Sequence, residues 1–235
     1  MTQQGKKEQV RKMFNNIAGK YDFLNHFLSL GIDVYWRKKM VNILKKKYPN
    51  QILDIATGTG DLAIAIARSL PQSHIIGADI SENMLEIGKQ KMIKKKLDHQ
   101  VIMEMGDSEN LKYADGFFDA VTVAFGVRNY EDLDKGLKEM NRVTKTNGSV
   151  YILEFSKPTV FPVKQIYNFY FKHILPLLGK SVSKDNSAYT YLPESVQQFP
   201  DGDKFLKYLS DAGYQDVQQK KMSLGIVSIY TGTKS

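Results

Sequence analysis

A chain of 235 residues, 42% of them hydrophobic, is long enough for one sizeable α/β domain with appended elements and too short for two comfortable enzyme domains. It has no cysteine, which excludes a disulfide framework, a thiol nucleophile and a cysteine-based metal site. The formal charge of +8 sits almost entirely in residues 1–50, with eleven Lys/Arg against three Asp/Glu; such a segment suits an anionic membrane or nucleic acid, unless it is only a solvated helix face.

The opening residues MTQQGKKEQVRKMF lack an apolar core of signal-peptide length, and no run of about 18 uncharged apolar residues follows. A soluble or membrane-peripheral protein of the cytoplasm is expected. Val10, Met13, Phe14 and Ile17 recur at helical spacing among Lys6, Lys7, Arg11 and Lys12, which predicts a basic amphipathic helix. After Tyr21-Asp22-Phe23-Leu24-Asn25-His26, a second basic helix is expected from about Val34 to Lys47, with Trp36, Met40, Ile43 and Leu44 on one face. Residues 1–50 thus form a helical cap that can fold over the crevice at the end of the first strand, and its apolar stripes read first as core packing.

From Ile52 the chain alternates. Strands are expected at 52–56, 74–79, 101–106, 118–124 and 148–155, and helices at 61–69, 82–96 and 131–144. This is the pattern of a doubly wound, mostly parallel sheet that binds ligands at the carboxyl ends of its strands. Ser81 is the expected cap of the second of these helices and Gly148 the stop of the third.

The stretch Gln51 to Asp61, QILDIATGTGD, organises this core of residues 51–156. An apolar strand runs into a turn in which Gly58 and Gly60 let the backbone bend and a ligand approach, and a helix N-terminus follows. The glycines alone match a loose dinucleotide fingerprint. Asp79, about 20 residues on, ends the second strand where a carboxylate can accept ribose hydroxyls. Asp54 and Asp61 flank the turn; negative charge there opposes a pyrophosphate and favours a cationic sulfonium donor such as S-adenosylmethionine, the simpler alternative being that both only brace the turn. Asp107 and Ser108 close the third strand, where an acid can meet an adenine amino group. Arg128 and Asn129 follow the fourth strand on the ligand side, whereas Asp119 opens that strand at the opposite end and reads as structural.

Residues 157–202 form an aromatic helical insertion. Val163, Ile166, Tyr167, Tyr170, Ile174 and Leu178 make one stripe that can wall a greasy pocket, though a plain buried helix fits the same periodicity. Residues 181–200 look polar and turn-rich. A helix from about Asp203 to Ala212 then leads to strands at 214–221 and 225–232, a closing antiparallel hairpin that brings the sheet to seven strands over 203–235.

Taken together, these motifs resemble the menaquinone/ubiquinone biosynthesis C-methyltransferases, class I S-adenosylmethionine enzymes with a Rossmann-like fold. The resemblance runs from about Phe14 to the C-terminus. It is carried by Tyr21-Asp22-Phe23-Leu24-Asn25 with Ser29 and Trp36, by Leu53-Asp54 through Gly58-Thr59-Gly60-Asp61, by Phe125-Gly126-Val127-Arg128-Asn129, by Arg142-Val143 with Lys145 and Gly148, by Glu154-Phe155-Ser156-Lys157-Pro158, and by Tyr191-Leu192 with Ser195. Two departures stand out. Leu24 replaces the family's usual Met, and Asp33 stands where a His is often found, so no role of that histidine carries over.

The resemblance implies methyl-donor contacts at Thr59, Asp79, Asp107 and Ser108, with Asp54, Gly58 and Gly60 around them. It implies as acceptor a reduced prenylated quinone, first a demethylmenaquinol methylated on a ring carbon, with a polyprenyl methoxybenzoquinol as the alternative. Tyr21, Asn25, Asn129, Tyr167 and Tyr170 are the expected acceptor contacts. Arg128 is expected to stabilise the phenolate, with His26 or Asp22 assisting. No metal and no nucleic acid are expected; an anionic membrane surface, met through the basic N-terminal segment, and a homo-oligomer are. Three rivals stay open: an RNA methyltransferase, which lacks here an Asn/Asp-Pro-Pro-Tyr motif after the fourth strand; an NAD oxidoreductase; and a non-enzymatic membrane-binding module.

Overall fold

The computed structural model describes residues 5–170, 173 and 187–235, with the side chains of residues 27, 28 and 187–190 excepted. Ile174 and Leu178 of the expected aromatic stripe lie outside the described residues. Two helices come first, α1 (Lys6–Leu28) and α2 (Ile32–Leu44). Tyr21 to His26 continue α1 rather than ending it, because Tyr21, Leu24 and Asn25 extend the face begun by Val10, Phe14 and Ile17.

The sheet follows. Strand β1 (Gln51–Ile55) lies between β2 (His74–Asp79) and β4 (Phe118–Ala124), with β3 (Val101–Met105) at one edge. Burial of Ile52, Leu53 and Ile55 on both faces of β1 is what a central parallel strand requires. Beyond β4 come β5 (Thr144–Phe155), β7 (Val227–Lys234) and β6 (Tyr214–Met222), the last two antiparallel to each other and β7 antiparallel to β5. The closing hairpin therefore folds back so that its second strand, not its first, pairs with the parallel body. A seven-stranded, mostly parallel sheet results.

Helices α3 (Asp61–Ser69), α4 (Glu82–Lys94) and α5 (Leu133–Val143) make the crossovers. Ser81 caps α4 by accepting the Met84 N–H, as its position before Glu82 predicts. Gly148 does not stop α5. That helix ends at Val143, Thr144 already begins β5, and Gly148 lies inside the strand, where a Cβ would come within 2.9 Å of the Asp119 carbonyl. Asp119 accepts the N–H groups of Asn50 and Gln51 at 3.0 and 2.8 Å, tying the start of β1 to the start of β4.

After α6 (Val163–Phe169) the described chain resumes with α7 (Ser187–Gln198), α8 (Asp203–Asp211) and the hairpin. The turn-rich reading of 181–200 is thus corrected over 187–198, which is helical with Pro193 inside it; Val196 and the following Phe199 are buried, and tertiary packing overrides the local polarity. Two apolar layers sandwich the sheet. One holds α2 and α3, the other α5 and α8, while a small cluster of Ile17, Ala18 and Met84 seats α1 on α4. The strand order reverses between β1 and β4, so the crevice opens at their carboxyl ends, under α1.

Candidate active site

At the end of β1 the backbone turns through Ala56, Gly58 and Gly60, all at positive φ. Gly60 is required twice over: its φ is +83°, and a Cβ there would sit 2.4 Å from the Met92 methyl. Above Gly58 the space is open, the nearest atom to a built Cβ being Cε1 of Tyr21 at 3.7 Å. Asp79 ends β2 and holds this loop, accepting the Gly58 N–H at 2.8 Å and the Ser81 N–H at 2.9 Å. Burial pushes its carboxyl up, and those N–H groups work against that shift.

A first cavity lies between this loop and α1. Gly58, Asp79, Ile80, Gly106, Asp107 and Ser108 line one side, Phe125, Gly126 and Asn129 another, and Lys7, Val10, Phe14 and Tyr21 of α1 form its roof. Lys7 reaches Asp107 at 2.8 Å and Glu109 at 3.0 Å. Burial alone would lower the Lys7 ammonium, but these two partners outweigh it and raise it. Lys6 donates to the carbonyls of Arg128 and Tyr130 at 3.1 and 2.6 Å. The first turn of α1 is thereby latched across the crevice.

Asp54 and Asp61 do not line this cavity. Asp54 is 1% exposed and sits behind the turn, where the hydroxyls of Thr57 and Thr122 donate to it at 2.6 and 2.7 Å. Asp61 turns away toward Lys91 at 2.5 Å and Arg37 at 3.4 Å. Both brace the loop. The cavity is acidic nonetheless, because Asp79, Asp107, Glu109 and Glu131 face one cation, Lys7. It therefore still disfavours a pyrophosphate and suits a cationic donor, through two expected acids and two that the motifs did not single out. Thr59 also stands off the cavity wall. Its hydroxyl donates to Asp22 and accepts from Lys91 at 3.0 Å.

A second, larger cavity of about 420 Å³ adjoins the first, sharing Phe14, Tyr21 and Phe125 with it. Its walls are mostly apolar. Trp36, Phe125 and Phe155 pack as an aromatic wall, with ring centroids 4.8 to 6.3 Å apart. Ile17 and Leu24 of α1, Val163, Ile166, Tyr167 and Tyr170 of the α6 region, and Tyr191 of α7 complete it. Tyr21, Asn25, Arg128, Tyr167 and Tyr170 are brought together here as expected, while Asn129 lies on the first cavity's side and accepts from the Tyr191 hydroxyl at 3.1 Å.

Of the two cations that line this slot, Arg37 is paired with Asp33 and Asp61, and Arg128 is the one beside Glu154. Its Nη1 donates to Glu154 Oε1 at 2.8 Å, and its Nε finds no hydrogen-bond partner among the described residues. Burial raises the fully buried Glu154 carboxyl, with Arg128 opposing the shift. Burial likewise raises the Tyr21 hydroxyl.

His26 and Asp22 line neither cavity. His26 Nδ1 lies 2.8 Å from Asp33, which Arg37 and Ser29 also hold, and Asp22 lies 2.8 Å from Lys91. These groups join α1 to α2, α3 and α4. Lys91 was missed by sequence reading because nothing in its own neighbourhood marks it; the signal was indirect, in the uncompensated acids Asp22 and Asp61. Among the described residues no group of three His, Asp or Glu is arranged to hold a metal ion, and no helix is long and apolar enough to cross a membrane.

The chain matches the model of the ubiE/COQ5 methyltransferase family over residues 1–234. It is 50% identical over 229 residues to a protein of Bacteroides fragilis named demethylmenaquinone methyltransferase, covering 97% of this chain and 94% of that protein. It is 45% identical over 235 residues to the ubiquinone/menaquinone biosynthesis C-methyltransferase UbiE of Geotalea daltonii, covering 100% of this chain and 99% of that one. Among solved structures, a Thermotoga maritima protein described as an S-adenosylmethionine-dependent methyltransferase, possibly a histamine N-methyltransferase, superposes with a TM-score of 0.67 at 18% identity, over 95% of this chain and 99% of that chain. A putative S-adenosylmethionine-dependent methyltransferase of Methanococcus maripaludis gives 0.62 at 18% identity, over 100% and 96%. These two share the fold.

Proposed function

The chain belongs to the ubiE/COQ5 methyltransferase family and is an S-adenosylmethionine-dependent methyltransferase; from that premise we propose that it methylates a ring carbon of demethylmenaquinol, giving menaquinol. The observation that carries this reading is the pair of adjoining cavities, one acidic and ringed by the glycine loop, one apolar, which share Phe14, Tyr21 and Phe125.

The first cavity has the chemistry the donor needs. The open space over Gly58 admits a ligand close to the backbone, Asp79 and Asp107 offer acceptors, and the excess of acids suits a positive charge. Asp79 would hold the ribose, and Asp107 with Ser108 the adenine. Bound there, the donor supplies an electrophilic methyl on a sulfonium.

The chain's own residues then serve the acceptor. The aromatic wall of Trp36, Phe125 and Phe155 receives a flat ring and excludes water. A hydroquinol ring carbon becomes strongly nucleophilic as the neighbouring hydroxyl loses its proton. Arg128, buried and with a spare Nε–H, stabilises the oxygen as negative charge grows on it. The hydroxyl proton would leave to solvent and the ring carbon would take the methyl as the donor's carbon–sulfur bond breaks, leaving a neutral thioether; loss of the hydrogen on that carbon and reprotonation of the oxygen would then restore the aromatic hydroquinol, with one proton released overall. Tyr21 and Asn25, one helical turn apart on α1, hold the acceptor against the donor side. His26 and Asp22 line neither cavity and fix the pose of α1, His26 through Asp33, which itself lines the apolar slot, and Asp22 through Lys91.

The acceptor's prenyl tail lives in a bilayer, so the enzyme works as a peripheral protein at the inner face of the cell membrane. Incubation of the protein with labelled S-adenosylmethionine and, separately, reduced demethylmenaquinone, a reduced methoxybenzoquinone and RNA tests the reading. Label is expected in the naphthoquinol; transfer to RNA alone, or only to the benzoquinol, would overturn it.

A further inference from the structure

Three exposed apolar residues are among those lining the second cavity: Leu30 of the α1–α2 turn, Ile32 at the start of α2 and Ile166 of α6. Leu30 is 84% exposed and Ile166 64%. Around them stand further exposed apolar side chains: Val34 and Tyr35 in the first turn of α2, Val160 and Phe161 before α6, and Phe169 at its end. A collar of large apolar groups beside a greasy cavity is unusual for a soluble surface.

The exposed charge in the segments that carry this collar, residues 20–44 and 157–170, is mostly positive. Lys20, Lys38 and Lys164 are exposed beside it, and Lys39 lies over the Tyr35 ring at 5.2 Å. In residues 20–44 and 157–170 the only acids are Asp22 and Asp33; Asp33 is buried, and Asp22 is paired with Lys91. Apolar groups ringed by lysines that can snorkel are the make-up of a segment lying in a membrane interface.

The rest of the N-terminal charge is not at this face. Lys6, Lys7 and Arg11 are bound to Arg128, Tyr130, Asp107, Glu109, Glu8 and Glu82. Lys45 to Lys47 follow the far end of α2, ~20 Å from the collar at 1.5 Å per residue over its 13 residues.

We propose that the collar of Leu30, Ile32, Val34, Tyr35, Phe161 and Ile166 is the surface that inserts into an anionic bilayer, so that the acceptor passes from the membrane into the slot without crossing water. Docking is then chiefly apolar, with Lys20, Lys38, Lys39 and Lys164 meeting the head groups, and it does not use the basic segment as a whole. This rests on the prenylated-quinol reading of the same slot.

The test uses the full chain and vesicles of phosphatidylcholine with phosphatidylglycerol. Val34→Glu and Phe161→Glu, at exposed positions that line neither cavity, are each expected to weaken vesicle binding about tenfold. Turnover of a short-chain, water-soluble demethylnaphthoquinol should be unchanged in both, which also reports that they fold. Reversal of three charges in K45E/K46E/K47E is expected to leave vesicle binding as in the wild type. Wild-type binding by Val34→Glu and Phe161→Glu, or an equal loss in the triple variant, would overturn the proposal. Vesicle binding that depends on the collar in a protein inactive on the short-chain acceptor would uphold the collar and remove the quinol reading instead.

Discussion

Burial holds the Asp54 carboxyl up to about 7, even though the hydroxyls of Thr57 and Thr122 favour its charged form. Its folded value lies above the ordinary value near ~3.9, so the folded state keeps a proton that the unfolded chain gives up. The associated stability is complete below the ordinary value and is lost as pH rises through about 7. Asp54→Asn should therefore flatten the fall in melting temperature that the wild type shows over that window. An equal fall in both proteins, followed by circular dichroism, would remove Asp54 as its source. Arg128 makes a second claim at this scale. Arg128→Gln should lower kcat by ~10²–10³-fold, the cost of one donor to a developing oxyanion, while leaving donor affinity within about twofold, since Arg128 lines only the acceptor cavity. A large change in donor affinity with kcat unaltered would put Arg128 in the wrong cavity.

At the scale of elements, α1 governs access. The cavity beneath it measures only about 60 Å³, well below the ~300–1,000 Å³ of a ligand site, and Lys7 occupies the carboxylate assigned to the adenine. On the proposed assignment of this cavity to the donor, entry goes with a lift of the first turns of α1, which the Lys6 and Lys7 contacts hold down. Lys7→Ala should speed donor association several-fold and raise amide exchange in residues 6–14; stopped-flow binding and exchange rates unchanged from wild type would contradict the latch. The helix also marks the limit of what the sequence discloses. Its amphipathic spacing was legible, and so was its position over the crevice, because it precedes the first strand. Which of its polar residues face the ligand was not, since Tyr21 and Asp22 are neighbours in sequence and lie on different sides of a helix turn. Tyr21 enters both cavities, whereas Asp22 meets Lys91, a residue 69 positions away. The choice for Asp54 and Asp61 between meeting a ligand and bracing the turn stayed open in the sequence for a related reason: a motif fixes where the backbone goes, and the direction of a side chain depends on partners such as Thr122 and Arg37 from other elements. The strands were legible throughout because alternation and short apolar runs are local signals, but the order of the last two was not, as nothing local says which strand of a hairpin meets β5.

For the whole molecule, the sheet order sets one end of the domain apart. The carboxyl ends of β1, β2, β3 and β4 supply the acidic cavity, while Phe125 and Phe155, just beyond β4 and at the end of β5, join α1, α2 and α6 in the apolar slot. Phe14, Tyr21 and Phe125 line both cavities and are where the proposed function has donor and acceptor meet. The central claim is that this meeting point delivers a methyl group to ring carbon. Turnover of S-adenosylmethionine labelled with carbon-13 in its methyl group, with reduced demethylmenaquinone as acceptor, followed by carbon NMR of the extracted product, tests it most directly. A single labelled aryl-methyl resonance on the naphthoquinol ring is expected; a labelled methoxy resonance, or label found elsewhere than on the quinol, would contradict transfer to ring carbon.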